Sequence, residues 1–161
     1  MSNGKRVLLI ISGGISAYKS LELIRELRVR DIKVRCILTT AGSQFVTPLS
    51  VEALTGNKVY QDLFSLTDTN GMGHIELSRE ADLIVIAPAT ANIIAKMRAG
   101  IADDLATTAL IATDKSVLIA PSMNVRMWEH ASTQSNMIKL RQRGVHVIGP
   151  EIGDMACGEH G

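Results

Sequence analysis

Five short runs of this chain are rich in apolar residues, and small, hydroxylated or turn-forming residues close them. They are Val7-Leu8-Leu9-Ile10-Ile11, residues 33 to 40, Leu83-Ile84-Val85-Ile86-Ala87, Val117-Leu118-Ile119-Ala120 and Val145-His146-Val147-Ile148. A strand with one wet face alternates polar and apolar positions. A continuous apolar, β-branched run is instead buried on both faces, the pattern of a parallel sheet covered by helices.

The intervening segments supply those covers. Residues 15 to 30 place Leu21, Leu23, Ile24 and Leu27 at helical spacing, with Lys and Arg on the other side. Pro48 opens a short helix that Gly56 stops. Residues 68 to 73 read as a loop, and 74–80, 91–98, 104–112 and 133–143 as helices, with Gly100 between the middle two. Strand–helix–strand crossovers are right-handed. The expected fold is therefore a single α/β domain, a three-layer Rossmann-like (flavodoxin-like) doubly wound parallel sheet. A length of 161 residues with 46% hydrophobic content suffices for one full core.

Composition removes several function classes. A net charge of +1 gives no field for nucleic acid or an anionic membrane. Aromatics at 3% leave no stacking platform for bases. No window reaches the ~18 apolar residues of a membrane span, and Met1 to Arg6 lack the features of a secretory signal, so a reduced, cytoplasmic setting is expected. Of the two cysteines, Cys36 sits in an apolar run and reads as buried. No Cys/His pair has closed-site spacing, and no metal is expected.

Ligands of open parallel sheets bind beyond the carboxyl ends of the strands, which selects four loops. Ser12-Gly13-Gly14-Ile15-Ser16 is a glycine-rich turn entering a helix, suited to a phosphate or simply to a tight turn. It is not G-x-G-x-x-G, so a mononucleotide fits better than a dinucleotide. Thr39-Thr40-Ala41-Gly42-Ser43 is small and hydroxyl-rich; Pro88-Ala89-Thr90-Ala91-Asn92 opens a helix, where Thr90 reads equally as an N-cap. Pro121 to Trp128 gathers two methionines and a tryptophan around Asn124. His74 opens a helix, where the dipole disfavours the imidazolium and suits a neutral base, although a surface or capping histidine reads as well. Cys157 lies in Gly153-Asp154-Met155-Ala156-Cys157-Gly158-Glu159-His160-Gly161, with no helical or strand periodicity. It is expected to be a reactive thiol on a mobile flap.

Taken in order, Gly13 to Lys19, Gly73 to Leu77, Pro88 to Asn92, Gly100 to Leu105, Pro121 to Asn124 with Met127-Trp128, and Ala156 to Gly158 resemble the motifs of the flavin-dependent cysteine decarboxylases. Within that family the likeness is to the branch acting on 4'-phosphopantothenoylcysteine in coenzyme A biosynthesis. The resemblance implies non-covalent FMN, contacted by Gly14, Ile15, Ser16, Thr39, Thr40, Thr90, Ala91, Asn92, Ile93 and Ser122. It implies His74 as catalytic base, Asn124 as holder of the substrate carboxylate with Met127 in the same clamp, and Cys157 as proton donor. The reaction it implies is oxidation of the substrate to a thioaldehyde, loss of CO2 to an enethiolate, and reduction to 4'-phosphopantetheine.

The same resemblance implies trimers, or dodecamers built of trimers. It also implies a second domain, normally in the same polypeptide, that ligates cysteine to 4'-phosphopantothenate. On that reading residues 1–161 are the flavoprotein decarboxylase domain, and the ligase lies outside them. Three alternatives stay open: a peptidyl-cysteine decarboxylase, which has no reductive step and no use for Cys157; a flavin prenyltransferase, which has no use for the Asn124 clamp; and a non-catalytic FMN-binding regulatory subunit.

Overall fold

The computed structural model describes residues 4–64 and 73–161, so the loop expected over 68–73 falls, except for Gly73, outside them. The elements are β1 (Arg6–Ile11), α1 (Ala17–Val29), β2 (Lys33–Leu38), a 3-10 turn (Gly42–Gln44), α2 (Pro48–Thr55), α3 (Gly73–Glu80), β3 (Leu83–Ala89), α4 (Ala91–Ala99), α5 (Leu105–Ala112), β4 (Ser116–Pro121), α6 (Val125–Glu129), α7 (Ala131–Gln142) and β5 (His146–Val147). The strands form one sheet in the order β2-β1-β3-β4-β5, every pair parallel. Strand order reverses between β1 and β3, the switch point at which doubly wound sheets open a crevice.

Alternate residues of the apolar runs go to opposite faces. Leu9 and Ile11 of β1, Cys36 and Leu38 of β2 and Val85 of β3 meet Ala17 and Ile24 of α1 and Val51 of α2. Leu8 and Ile10, Ile84 and Ile86, and Ile119 of β4 meet Leu77, Ile94, Leu105 and Leu140 from α3, α4, α5 and α7. Burying one such side chain contributes about 1.5–3 kcal/mol, and both faces of the sheet take part. Cys36 is 1% exposed, and that burial pushes its thiol pKa up to about 12.

Local chemistry sets the helix ends. Thr47 Oγ1 caps α2 by accepting from the Ser50 N–H at 3.1 Å, and Gly56 ends it at φ 69°. Asp104 and Thr107 form a reciprocal capping box at the start of α5. Gly100 ends α4 at φ 73°, and Lys96 Nζ holds Asp103 at 3.0 Å, a hydrogen bond that sets the Asp103 carboxyl below its usual range. The Gly100–Leu105 motif is thus a helix-to-helix connector.

Several features differ from the sequence expectation, one being that residues 125–129, read as part of a strand-end loop, form the short helix α6. β5 pairs over two residues rather than four, as an edge strand closed by Gly149 at φ 68° and by Pro150, which has no N–H to donate. β3 runs on to Ala89 through a register shift after Ile86. Residues 153–161 are a hairpin, not an irregular tail: Gly153 and Gly161 exchange both backbone bonds at 2.9 and 3.1 Å, and Asp154 bridges His160 antiparallel. Ala156-Cys157-Gly158 is its three-residue loop, with Gly158 in the left-handed region at φ 84° as such loops require. No helix among the described residues is long and apolar enough to cross a membrane.

Candidate active site

The four strand-end loops are joined into one rim by serine hydroxyls and backbone hydrogen bonds. Ser12, 3% exposed, donates from Oγ to the Pro88 carbonyl and accepts from the Thr90 N–H at 3.3 Å, tying the β1 loop to the β3 loop. Thr39 N–H donates to the Ile11 carbonyl at 3.1 Å, and Thr39 Oγ1 accepts from Gly42 N–H at 3.0 Å, tying in the β2 loop. Ser122 N–H extends the β3–β4 ladder to the Ala89 carbonyl at 3.0 Å. Ser16 Oγ then reaches across to Ser122 Oγ at 2.7 Å. Gly14, Ile15, Ser16, Thr39, Thr40, Thr90, Ala91, Asn92 and Ser122 all lie on this rim.

The rim has the features a mononucleotide needs. α1 and α4 both begin there, so two helix N-termini, thirteen and nine residues long, face one edge. Thr90 Oγ1 accepts from the Ile93 N–H at 3.3 Å, whereas the N–H groups of Ala91 and Asn92 have no intrahelical partner, the arrangement that receives a phosphate. A Cβ at Gly14 would point into the opening between the first and third loops, 3.7 Å from Thr90 Cγ2 and 3.9 Å from Pro88 Cγ. Beside it Ile15 is 60% exposed, a large apolar side chain held out at the rim instead of packed into the core. Charge for an anion, hydroxyls for a polyol and an apolar shelf are therefore adjacent, and these residues fit a flavin mononucleotide.

Gly13 serves a different end. A Cβ there would meet the Ala41 side chain and stand 2.8 Å from the Ala41 carbonyl carbon. Gly13→Ala is expected to cost about 1–3 kcal/mol through overpacking, and to release bound flavin by prising the first two loops apart. Thermal denaturation and the flavin content of the purified variant check both.

Asn124 caps the five-residue α6: its Oδ1 accepts from Met127 N–H at 2.8 Å. Its Nδ2 makes no hydrogen bond among the described residues, leaving two donors for a carboxylate. Met123 and Trp128 pack against the core, while Met127 is 45% exposed, so the methionine of the expected clamp is free to meet a ligand. The hairpin stands on this helix, because a Cβ at Gly161 would run into the Val125 side chain. Cys157 is exposed at the hairpin tip with Glu159 Oε2 3.7 Å from its Sγ, and His160 Nδ1 pairs with Asp154 Oδ1 at 2.8 Å below it.

His74 is half-buried, the second residue of α3. α3 leads through a tight turn into β3 and so runs back along the sheet, which puts its first turn on the strand-end side. No hydrogen bond among the described residues joins His74 to the rim. The Ile93 side chain is in the core, 4% exposed, and its N–H is taken by Thr90, so this position offers the rim little. Two hydroxyls that position the site have no role assigned to them by the sequence: Ser12, which there only opens the glycine-rich turn, and Ser20, whose Oγ donates to the Ala87 carbonyl at 2.6 Å and pins α1 to β3. Their signal is a serine where only small apolar residues are needed, at a strand end and on the buried face of a helix. Among the described residues, no group of three or more His, Cys, Asp or Glu is placed to hold a metal ion.

The sequence matches the Flavoprotein family model over residues 1–161. The chain belongs to the Flavoprotein family. Among curated relatives of this flavoprotein, the coenzyme A biosynthesis bifunctional protein CoaBC of Haemophilus influenzae is 46% identical over 159 residues, which is 99% of this chain and 40% of that protein. CoaBC of Escherichia coli is likewise 46% identical, over 98% of this chain and 39% of its own length. The flavoprotein chain thus spans about two fifths of the curated relatives it matches. Among solved structures, a cysteine-to-serine mutant of PPC decarboxylase complexed with pantothenoylaminoethenethiol superposes with a TM-score of 0.85 at 32% identity, covering 99% of this chain and 89% of that one. The FMN-dependent cysteine decarboxylase SpaF superposes with a TM-score of 0.85 at 33% identity, covering 98% and 89%.

Proposed function

We propose that this chain is an FMN-dependent decarboxylase that converts 4'-phospho-N-pantothenoylcysteine to 4'-phosphopantetheine in coenzyme A biosynthesis. The observation that carries the reading is the joint mounting of the Asn124 turn and the Cys157 hairpin, through Val125 and Gly161, beside the rim that fits the cofactor. The whole-chain likeness to CoaBC proteins and to a PPC decarboxylase supports the choice of substrate.

A carboxylate on a saturated carbon cannot leave as CO2, because its electron pair has no acceptor. FMN supplies a reversible two-electron acceptor when bound. Ala91 and Asn92 N–H groups would hold its phosphate, and Gly14, Ile15, Ser16, Thr39, Thr40, Thr90 and Ser122 would line the rest of its site. His74 would take a proton from the cysteinyl unit as that unit is oxidised to a thioaldehyde. The two free amide N–H groups of Asn124 would hold the carboxylate in line until CO2 departs, with Met127 beside it. Cys157 would give a proton to carbon of the resulting enethiolate as two electrons return, leaving the saturated thiol. The overall conversion is redox-neutral and releases CO2.

The chain would act as a homo-oligomer, a trimer or a dodecamer of trimers, in the cytoplasm. As in the bifunctional relatives, a ligase domain would share its polypeptide.

The test is direct. Purified protein should be yellow, take up FMN, and release CO2 from phosphopantothenoylcysteine with a product of the reduced mass. Cysteine-terminated peptides should be poor substrates. Turnover of such peptides with no reduced product would move the chain to the peptidyl-cysteine class, and a colourless protein that takes up no FMN would end every flavin reading.

A further inference from the structure

A cleft of about 630 Å³ opens at the other edge of the sheet, around the amino ends of β1 and β2 and the end of α3. Four cations border it, Arg6, Arg28, Lys33 and Arg35, against two acids, Asp31 and Glu80. Glu80 is already committed to Arg35 at 3.0 Å, and Arg28 donates to the Leu54 carbonyl. Arg6 and Lys33 have no side-chain partner among the described residues. Yet these two are register partners on neighbouring strands, and the register puts them, with Arg35, on the face that carries Leu8 and Ile10. Like charges side by side on one sheet face repel, and an acid paired with either side chain would relieve that; the nearby Asp82 carboxylate is spent on the Arg6 backbone N–H at 2.7 Å and forms no ion pair with the guanidinium. Asp31, on the turn after α1, lines the cleft without filling that role, as no ion pair among the described residues joins it to either.

We propose that this cleft is a second binding site, for a small ligand carrying a diphosphate, held between Arg6 and Lys33 with Arg35 behind. Guanidinium forks with an ammonium are the donor set of phosphate recognition. The volume is that of a ligand pocket and exceeds what one tetrahedral anion fills. The inference is independent of the decarboxylase reading, since it uses no residue of the strand-end rim.

The experiment titrates the FMN-loaded protein with pyrophosphate, followed by calorimetry and by backbone amide shifts. Expected are saturable 1:1 binding that weakens as salt is raised, and shifts centred on Arg6, Lys33 and Arg35. Arg6→Gln and Lys33→Gln should each weaken binding by about tenfold or more with FMN absorbance unchanged. A parallel titration with ADP identifies the source: tighter binding than pyrophosphate means a nucleotide, equal binding a free diphosphate, and either upholds the site. No binding at millimolar pyrophosphate, affinity untouched by both substitutions, or shifts confined to the strand-end rim would overturn it. Should a variant misfold, the shift map of the unsubstituted protein decides alone.

Discussion

Replacing Cys157 by serine should leave a protein that releases CO2 once and then stops. The residue sits exposed at the tip of a three-residue hairpin loop, and serine fits that loop as well as cysteine. Folding, FMN content and substrate affinity are therefore expected to be unchanged. What changes is the acidity of the group offered to the enethiolate, since an alcohol is a far weaker acid than a thiol. Loss of a positioned general acid lowers rates by about 10²–10⁴-fold, and here the loss falls on the last step alone. A single-turnover experiment should show near-stoichiometric CO2, a product two hydrogens lighter than 4'-phosphopantetheine, and flavin absorbance that bleaches and does not recover. Normal amounts of 4'-phosphopantetheine from this variant would remove Cys157 from the mechanism.

Asn124→Asp separates the structural and chemical duties of one side chain. Aspartate is as good an N-cap as asparagine, so α6 keeps its bond to the Met127 N–H and Tm should stay within about 2 °C. The two amide donors disappear, however, and a second negative charge faces the substrate carboxylate. A charge-assisted hydrogen bond is worth about 1.5–3 kcal/mol and a like-charge contact costs several more, so kcat/KM should fall by about a thousandfold or more. Retained turnover in a protein of unchanged Tm would mean that the carboxylate is held elsewhere. A large fall in Tm would instead show that Asn124 matters first to the fold.

The sheet was legible because its signal is local. A run such as Leu83 to Ala87 has one way to bury both faces, and the small residues after each run mark the ends where the candidate site lies. Helix ends were legible for the same reason, as Thr90 and Asp104 cap the helices that follow them. The rim's bonds were not, because they join residues far apart in the chain: Ser16 and Ser122 are separated by 106 positions. The resemblance places Ile93 at the cofactor with its neighbours, and the helix phase that turns its side chain into the core is not visible from that motif. The hairpin was missed for another reason. Its strands are one bridge long, so no alternation can develop, and what defines it is Gly158 in the left-handed region and a pairing of Gly153 with Gly161. Glycine read as looseness was in fact closing a turn.

α6 has five residues, too few to persist by itself, and it is kept in place by the asparagine at its head and by the hairpin resting on Val125. The group assigned to grip the carboxylate and the group assigned to deliver the last proton are therefore carried by one small lever. A tilt of that lever would move both together, so on the proposed mechanism the grip on the carboxylate and the reach of the thiol would be set by one and the same support.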